Sequence, residues 1–284
     1  MEIRPENPFQ PFEAESLDLV RNDLSRVLCQ VAFPSLASIA DLSFVGAFQQ
    51  AIKASYPTLV PEQMNTVNIG PQGAQMVAEP VWRFHDAQQV WRVSLMSAAL
   101  VLETRTYVSR SDFMRRLSPL LDALGQHVRP AQVARIGVRY VNHVRLASPA
   151  DAASVFREGV VGEALLAAAS IPGARHMLNE IVGELPDGGM ATARWAILPP
   201  GGTHDVNVMP PMPMTSCMLD IDSFVDWNAA PRPFDPSSVL SEAKRLAGHG
   251  NGFFRWVVSD GHLKELSVPE YRQPGVWQAT AKFH

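Results

Sequence analysis

The chain has 284 residues, a formal net charge of -4, 46% hydrophobic residues and 18% charged ones. That length holds one large domain or two small ones, and the apolar content excludes a disordered chain. The charge argues against a general nucleic-acid binder, which is normally basic overall, and no apolar run reaches the ~18 residues of a membrane span.

Taken in chain order, the first 16 residues carry Pro5, Pro8 and Pro11 and read as an extended arm. They hold neither a basic nor an apolar stretch of signal-peptide type, so the expected location is the cytoplasm. Leu24 to Phe33 reads as a strand stopped by Pro34. Ser43 to Ser55 reads as a helix, with Phe44, Phe48, Ala51 and Ile52 on one stripe. Residues 57–79, with three prolines and two glycines, read as an irregular excursion. A meander follows over Val81–His85, Val90–Ser97 and Leu100–Val108. Ser109 then caps a helix to about Val128, with Pro119 expected to kink it. Gln132 to Leu146 is a long strand.

The second half repeats this order more loosely. A helix is expected over Ala152–Ser170. Strands at Ala174–Leu185 and Met190–Leu198 flank the turn Pro186-Asp187-Gly188-Gly189. The Pro/Gly-rich loop Pro199–Pro213 leads into a strand at Ser216–Trp227. Its methionines Met209, Met212 and Met214, with Trp227, are candidates for an adaptable contact surface. Asp235 and Pro236 open a helix that runs to about Ala247 and should stop at Gly248, with Phe253–Val258 read either as its resumption or as a strand. Consecutive strands with short turns imply antiparallel pairing. The fold class is therefore α+β: antiparallel sheets with helices packed on one face. Residues 1–148 and 149–284 are read as two tightly fused α+β halves, a duplication of a strand-strand-strand-helix unit.

Familiar catalytic signatures are missing from the sequence: no GxGxxG after a strand, no GxxxxGK[ST], no HExxH, no GxSxG. Cys29 and Cys217 make neither a disulfide framework nor a zinc site. Twenty of the 24 basic residues are arginine, whose planar fork suits carboxylate and phosphate. Alternation along Arg135–Arg145 puts Arg135, Arg139, His143 and Arg145 on one strand face. Arg83, His85, Arg92, Glu103 and Arg105 extend such a face across the meander. It is either a surface laced with cross-strand ion pairs or an anion-binding concavity. The ligand-binding candidates are thus Arg105, Arg135, Arg139, His143 and Glu103. Asp220 and Asp222 share one face of their strand and could hold Mg²⁺.

CQVAFP at Cys29–Pro34, LETRTY at Leu102–Tyr107, RIGVRYVN at Arg135–Asn142, LDID at Leu219–Asp222 and the pair Phe253-Phe254 carry a resemblance. The chain resembles, over roughly residues 20–260, a sporadically distributed family of uncharacterised bacterial proteins. That resemblance implies a bacterial cytoplasmic protein and supplies no catalytic residues. It suggests an accessory role, such as defence or conflict between bacteria. The first expectation is a non-catalytic binding or interaction protein, using the Arg-rich face toward a protein partner or small anionic ligand and needing no cofactor. The second is a Mg²⁺-assisted enzyme, with a closed or strongly curved sheet gathering arginines around phosphate. The third is a structural homo-oligomer, such as a dimer joined through a sheet edge. Membrane and nucleic-acid partners are not expected.

Overall fold

The computed structural model describes residues 6–12, 22–70, 73–160 and 177–267. Strand β1 is Leu24–Ala32. Helix α1 (Leu42–Ile52) starts where the Asp41 carboxylate accepts the Ser43 N–H at 2.8 Å. It buries Val45, Phe48 and Ile52, so the stripe is turned slightly from the expected one and Phe44 is half-buried. Next come β2 (Thr58–Gly70) and β3 (Gly73–His85), paired antiparallel along their whole length. Residues 57–79 are therefore mostly hairpin, not an irregular excursion. Strand β2 lies at a sheet edge, where a proline such as Pro61 need not interrupt a ladder on both sides. Pro80 lies outside the stretch of β3, Trp82 to His85, that pairs with the next strand.

The meander continues as β4 (Trp91–Met96) and β5 (Ala99–Thr104). Helix α2 (Arg110–Ala123) is capped by Ser109, whose hydroxyl accepts the Asp112 N–H at 3.1 Å. It runs through Pro119 and ends in a π turn at Leu124–Val128, closed by Arg129 at φ 57°. Then come β6 (Gln132–Val133) and β7 (Arg135–Arg145). Of the helix expected over 152–170, the described part is the short α3 (Ala152–Val155), a break where Phe156 bridges to Val258, and further helix at residues 158–160. Residues 161–176 lie outside the described residues. Strands β8 (Met177–Glu184), β9 (Met190–Leu198) and β10 (Ser216–Asp226) follow, then the short β11 (Arg232–Pro233).

Helix α4 (Pro236–Val257) begins as expected, with Asp235 accepting the Ser238 N–H at 2.8 Å and Pro236 in the first turn. It does not stop at Gly248. The glycines Gly248, Gly250 and Gly252 sit inside a 22-residue helix. Each costs about 1 kcal/mol relative to alanine, and packing offsets that cost. A Cβ on Gly252 would stand 2.0 Å from the Gln10 carbonyl oxygen, and one on Gly250 would stand 3.0 Å from the Tyr140 ring. Residues 6–12 of the expected arm are thus docked on this helix; the rest of that arm lies outside the described residues. The Phe12 N–H donates to the Gly248 carbonyl at 3.1 Å, His249 Nδ1 lies 2.7 Å from the Phe9 carbonyl, and the Phe9 ring is buried against Phe253.

Nine strands make one open antiparallel sheet in the order β2-β3-β4-β5-β1-β7-β10-β9-β8. Outward from the central β1–β7 pair, β5, β4 and β3 on one side match β10, β9 and β8 on the other. The boundary at 148 follows β7, which pairs with both β1 and β10, so one sheet crosses it. Helix α2 packs on α4, and α4 lies over β7 and β10. Val27, Cys29, Val31, Ile136, Val138 and Ile221 are buried in the main core. This is an α+β protein with its helices on one side of the sheet. Among the described residues no helix is long and apolar enough to cross a membrane.

Helix α5 (Asp260–Ser267) ties back to the start of β1 through His262, whose Nε2 lies 2.7 Å from Asp23; Glu265 stands 3.5 Å from Nδ1. Burial disfavours the charged ring, but hydrogen bonds and charge from Asp23 and Glu265 outweigh it and raise its pKa above 6.5. A raised folded pKa stabilises fully below the unfolded value, and that contribution is lost as pH rises through the folded one. Wild-type stability should therefore lose, between about pH 5.5 and pH 8.5, a contribution that His262→Gln lacks. Urea unfolding at both pH values checks this; identical pH dependence in the two proteins would refute it.

Candidate functional site

The face away from the helices collects the charged residues because strand side chains alternate. One cross-strand row runs through His85, Arg92, Glu103, Leu28, Arg139, Asp222 and Thr192. A parallel row holds Arg26, Val141, Asp220, Arg194 and Glu180. The common face inferred from alternation is thus real across the sheet. The sheet itself stays open, with β2 and β8 at its edges, and does not close around a ligand.

Glu103 is buried and takes two arginines. Arg26 donates to one carboxylate oxygen at 2.8 Å, and Arg92 binds the other. Arg26 is itself only 2% exposed, a position that charged side chains occupy only when paired. Arg105 follows on the same face. Burial, with Arg26 and Arg92 nearby, lowers its pKa, while Glu103 acts in the opposite sense. His85 is pushed down chiefly by burial, then by Arg92.

Arg139 meets Asp220 through two parallel bonds, Nε to Oδ1 at 2.8 Å and Nη2 to Oδ2 at 2.7 Å, and reaches Asp205 at 3.3 Å. Arg135 donates to Asp222 at 2.9 Å and to Gln30 at 2.7 Å, with its guanidinium 4.6 Å from the Phe224 ring centre. It lies across Gly137, where a Cβ would stand 2.6 Å from Nη1. Burial raises the Asp222 pKa despite Arg135 and Arg139. Arg194 donates to Glu180 at 2.5 Å. An open groove runs between Arg139, Arg194, Glu180, His204, Asp205 and Asp222.

Of the sequence-derived candidates, Glu103 joins Arg26 and Arg92, while Arg135 and Arg139 are bound to the two aspartates considered for metal. Asp220 and Asp222 therefore act as counter-ions. Among the described residues no group of three or more His, Cys, Asp or Glu could hold a metal ion. His143 does not add positive charge to this face. It is buried, its Nε2 meets Ser216 Oγ at 2.9 Å, and burial and Arg145 push its pKa down to about 4. Burial pushes Cys29 up to about 12 and Cys217 higher still, so both are neutral thiols rather than nucleophiles.

The Met-rich loop folds back over part of the face. Met209 is buried with Val208 against Val141, Ala196, Leu198 and Met218, a second small core that excludes Met209 from any contact surface. Sequence reasoning missed Arg26 and Asp205 as members of the charged face. Arg26 falls near a register irregularity in β1, and Asp205 sits on a loop with no periodicity to place it.

The two ion pairs should differ in weight. Removing the partner of a charge-assisted bidentate bond costs about 1–3 kcal/mol, whereas a partly exposed pair is worth about 0–1 kcal/mol. Asp220→Ala is expected to lower unfolding stability by about 2 kcal/mol, and Arg135→Ala by no more than about 1 kcal/mol. Equal losses in urea titrations would contradict the assigned geometry.

The fold and site define an α+β protein with an open sheet, one face under helices and the other covered by paired charges. Comparison of the chain with family models gives no match, and comparison with curated proteins gives none.

Proposed function

We propose that the protein is a non-catalytic binding or interaction protein that presents the outer face of its sheet to a protein partner. The observation that carries this reading is the pairing of Arg135 with Asp222 and of Arg139 with Asp220. Guanidiniums already held by carboxylates do not converge on a phosphate. A face of mixed, paired charge gives register and partner choice more than raw affinity. Exposed apolar side chains flank it on the edge strands: Val60 on β2, and Leu178 and Val182 on β8. Contacts between such side chains and a partner would supply affinity that paired charges do not.

The resemblance supports a bacterial cytoplasmic setting and an accessory role in defence or conflict. The strand-and-helix order on the two sides of the β1–β7 pair supports a duplicated unit.

The test is a tagged pull-down from the host, comparing wild type with Arg135→Ala plus Arg139→Ala and with Leu178→Asp plus Val182→Asp. A partner captured by wild type and lost from both variants supports the reading. An unchanged partner profile in both removes the outer face from consideration. Mg²⁺-dependent phosphate release from nucleoside triphosphates or phosphomonoesters would favour the enzyme reading instead. Solution mass addresses the homo-oligomer; a strict monomer at micromolar concentration ends that reading.

A further inference from the structure

The other side of the sheet holds a cavity that the outer face does not involve. It lies where the chain approaches β1, where β5 passes into α2, and where β7 meets α4. Tyr107, Tyr140, Asn142, Gly250, Asn251 and Phe254 supply its distinctive walls, and its volume is about 140 Å³. A cavity of about 150 Å³ is known to take a single benzene ring, so one six-membered ring fits and a fused bicycle does not. Three segments singled out in the sequence meet here: LETRTY through Tyr107, RIGVRYVN through Tyr140 and Asn142, and Phe253-Phe254 through Phe254.

The wall is aromatic on one side. Tyr107 and Tyr140 stand edge to face, 5.9 Å between ring centres and 89° between planes. Burial raises Tyr107 to about 12 and Tyr140 well above its ordinary value, so both stay uncharged. Gly250 keeps α4 close to the Tyr140 ring.

The polar part of the wall is oriented by backbone. Asn142 is 5% exposed and its Nδ2 donates to the Leu219 carbonyl at 3.3 Å. Asn251 Nδ2 faces the Phe12 carbonyl at 3.4 Å. A carbonyl only accepts, so each contact fixes which end of the amide is nitrogen. Both side-chain carbonyl oxygens are then left as acceptors, without a protein donor among the described residues. The other polar side chains of the lining are already engaged: the Ser109 hydroxyl caps α2, and Arg110 has its own partner. Asn22 binds the Tyr107 carbonyl and the Leu24 N–H, and Asp23 binds His262.

We propose that this cavity binds a small uncharged six-membered ring carrying at least two N–H donors, a pyrimidine-type heterocycle. The ring would lie against Tyr107, Tyr140 and Phe254, with its donors toward Asn142 and Asn251. A ring without donors leaves both amide oxygens dry and unpaired, which disfavours it. An anionic ring would meet the Asp23 carboxylate in the same lining, and Arg110, the cation there, is already engaged. The site is independent of the outer face, so a failed pull-down does not bear on it.

Uracil is the probe, with 1,3-dimethyluracil, benzene and benzoate as comparisons. NMR of the full chain, carrying ring-labelled tyrosine and labelled asparagine, follows each titration. For a ligand of this size, saturable uracil binding with a Kd of about 1 mM or tighter is expected. It should move the Tyr107, Tyr140 and Asn142 signals. Dimethyluracil, benzene and benzoate should bind at least about tenfold more weakly, as loss of one such hydrogen bond implies. Asn142→Leu should weaken uracil by a similar factor. Where that variant is poorly folded by circular dichroism, Asn251→Leu on α4 provides the same test. No saturable uracil shift up to about 20 mM, or equal affinity for uracil and benzene, would overturn the proposal. So would a folded Asn142→Leu or Asn251→Leu that binds uracil as wild type does.

Discussion

Glu103→Ala is expected to be among the most damaging single substitutions in this protein, lowering unfolding stability by about 3–5 kcal/mol. The residue is almost entirely buried, and both of its oxygens are engaged. Arg26, which binds one of those oxygens, is only 2% exposed. Alanine removes the negative charge and leaves the arginine cations in place. The cost is the loss of a charged partner by a guanidinium that stays buried, which exceeds the worth of the pair itself. Glu103→Gln keeps the shape and one acceptor and should lose less. The double substitution Glu103→Leu with Arg26→Met removes both charges and should recover much of the loss, because buried pairs are often replaceable by packed apolar groups. Urea unfolding of the three variants decides it. A Glu103→Ala loss below about 1 kcal/mol would mean that the pair behaves as a solvated one.

Gly252→Val is the second large effect. The smallest side-chain atom at this position would fall 2.0 Å from the Gln10 carbonyl oxygen, and that is backbone, not the movable end of a side chain. Either α4 shifts away from the arm or the arm leaves. Overpacking typically costs about 1–3 kcal/mol, and helix propensity returns less than 1 kcal/mol of that for replacing glycine. Departure of the arm would also uncover Phe253, against which Phe9 is buried, and break the Phe12–Gly248 and Phe9–His249 bonds. The expected result is a loss of about 2–3 kcal/mol. Limited proteolysis should then cut within residues 6–12, where wild type is protected. Gly46→Ala is a contrasting control, since a Cβ there has open space within 4 Å and α1 gains helix propensity. Wild-type protection in Gly252→Val would show that the arm is not held by this contact.

Much of the fold was legible because it follows from local periods and end signals. Strand alternation located β1, β4, β5, β7, β9 and β10, and Ser109 and Asp235 marked two helix starts. Expectations failed where a strong local signal met a tertiary reason to override it. Prolines and glycines argued against strands over 57–79, yet an edge hairpin tolerates them because it pairs on one side only. Gly248 argued for a helix end, yet α4 continues because glycine lets the arm and Tyr140 approach.

The candidate site was legible in part for the same reason. Alternation placed Arg135, Arg139, Glu103, Asp220 and Asp222 on one face without knowledge of strand order. It could not place the partners. Arg139 is 81 residues from Asp220, Arg135 is 87 from Asp222, and Arg26 is 77 from Glu103. The sequence by itself determined a charged strand face opposite an apolar one, because side-chain direction in a strand has period two. Only the tertiary structure decided that this charge is internally paired, because strand order and register bring distant acids and bases within bonding distance. The same packing made the aromatic cavity, whose walls come from segments with no local relation to one another.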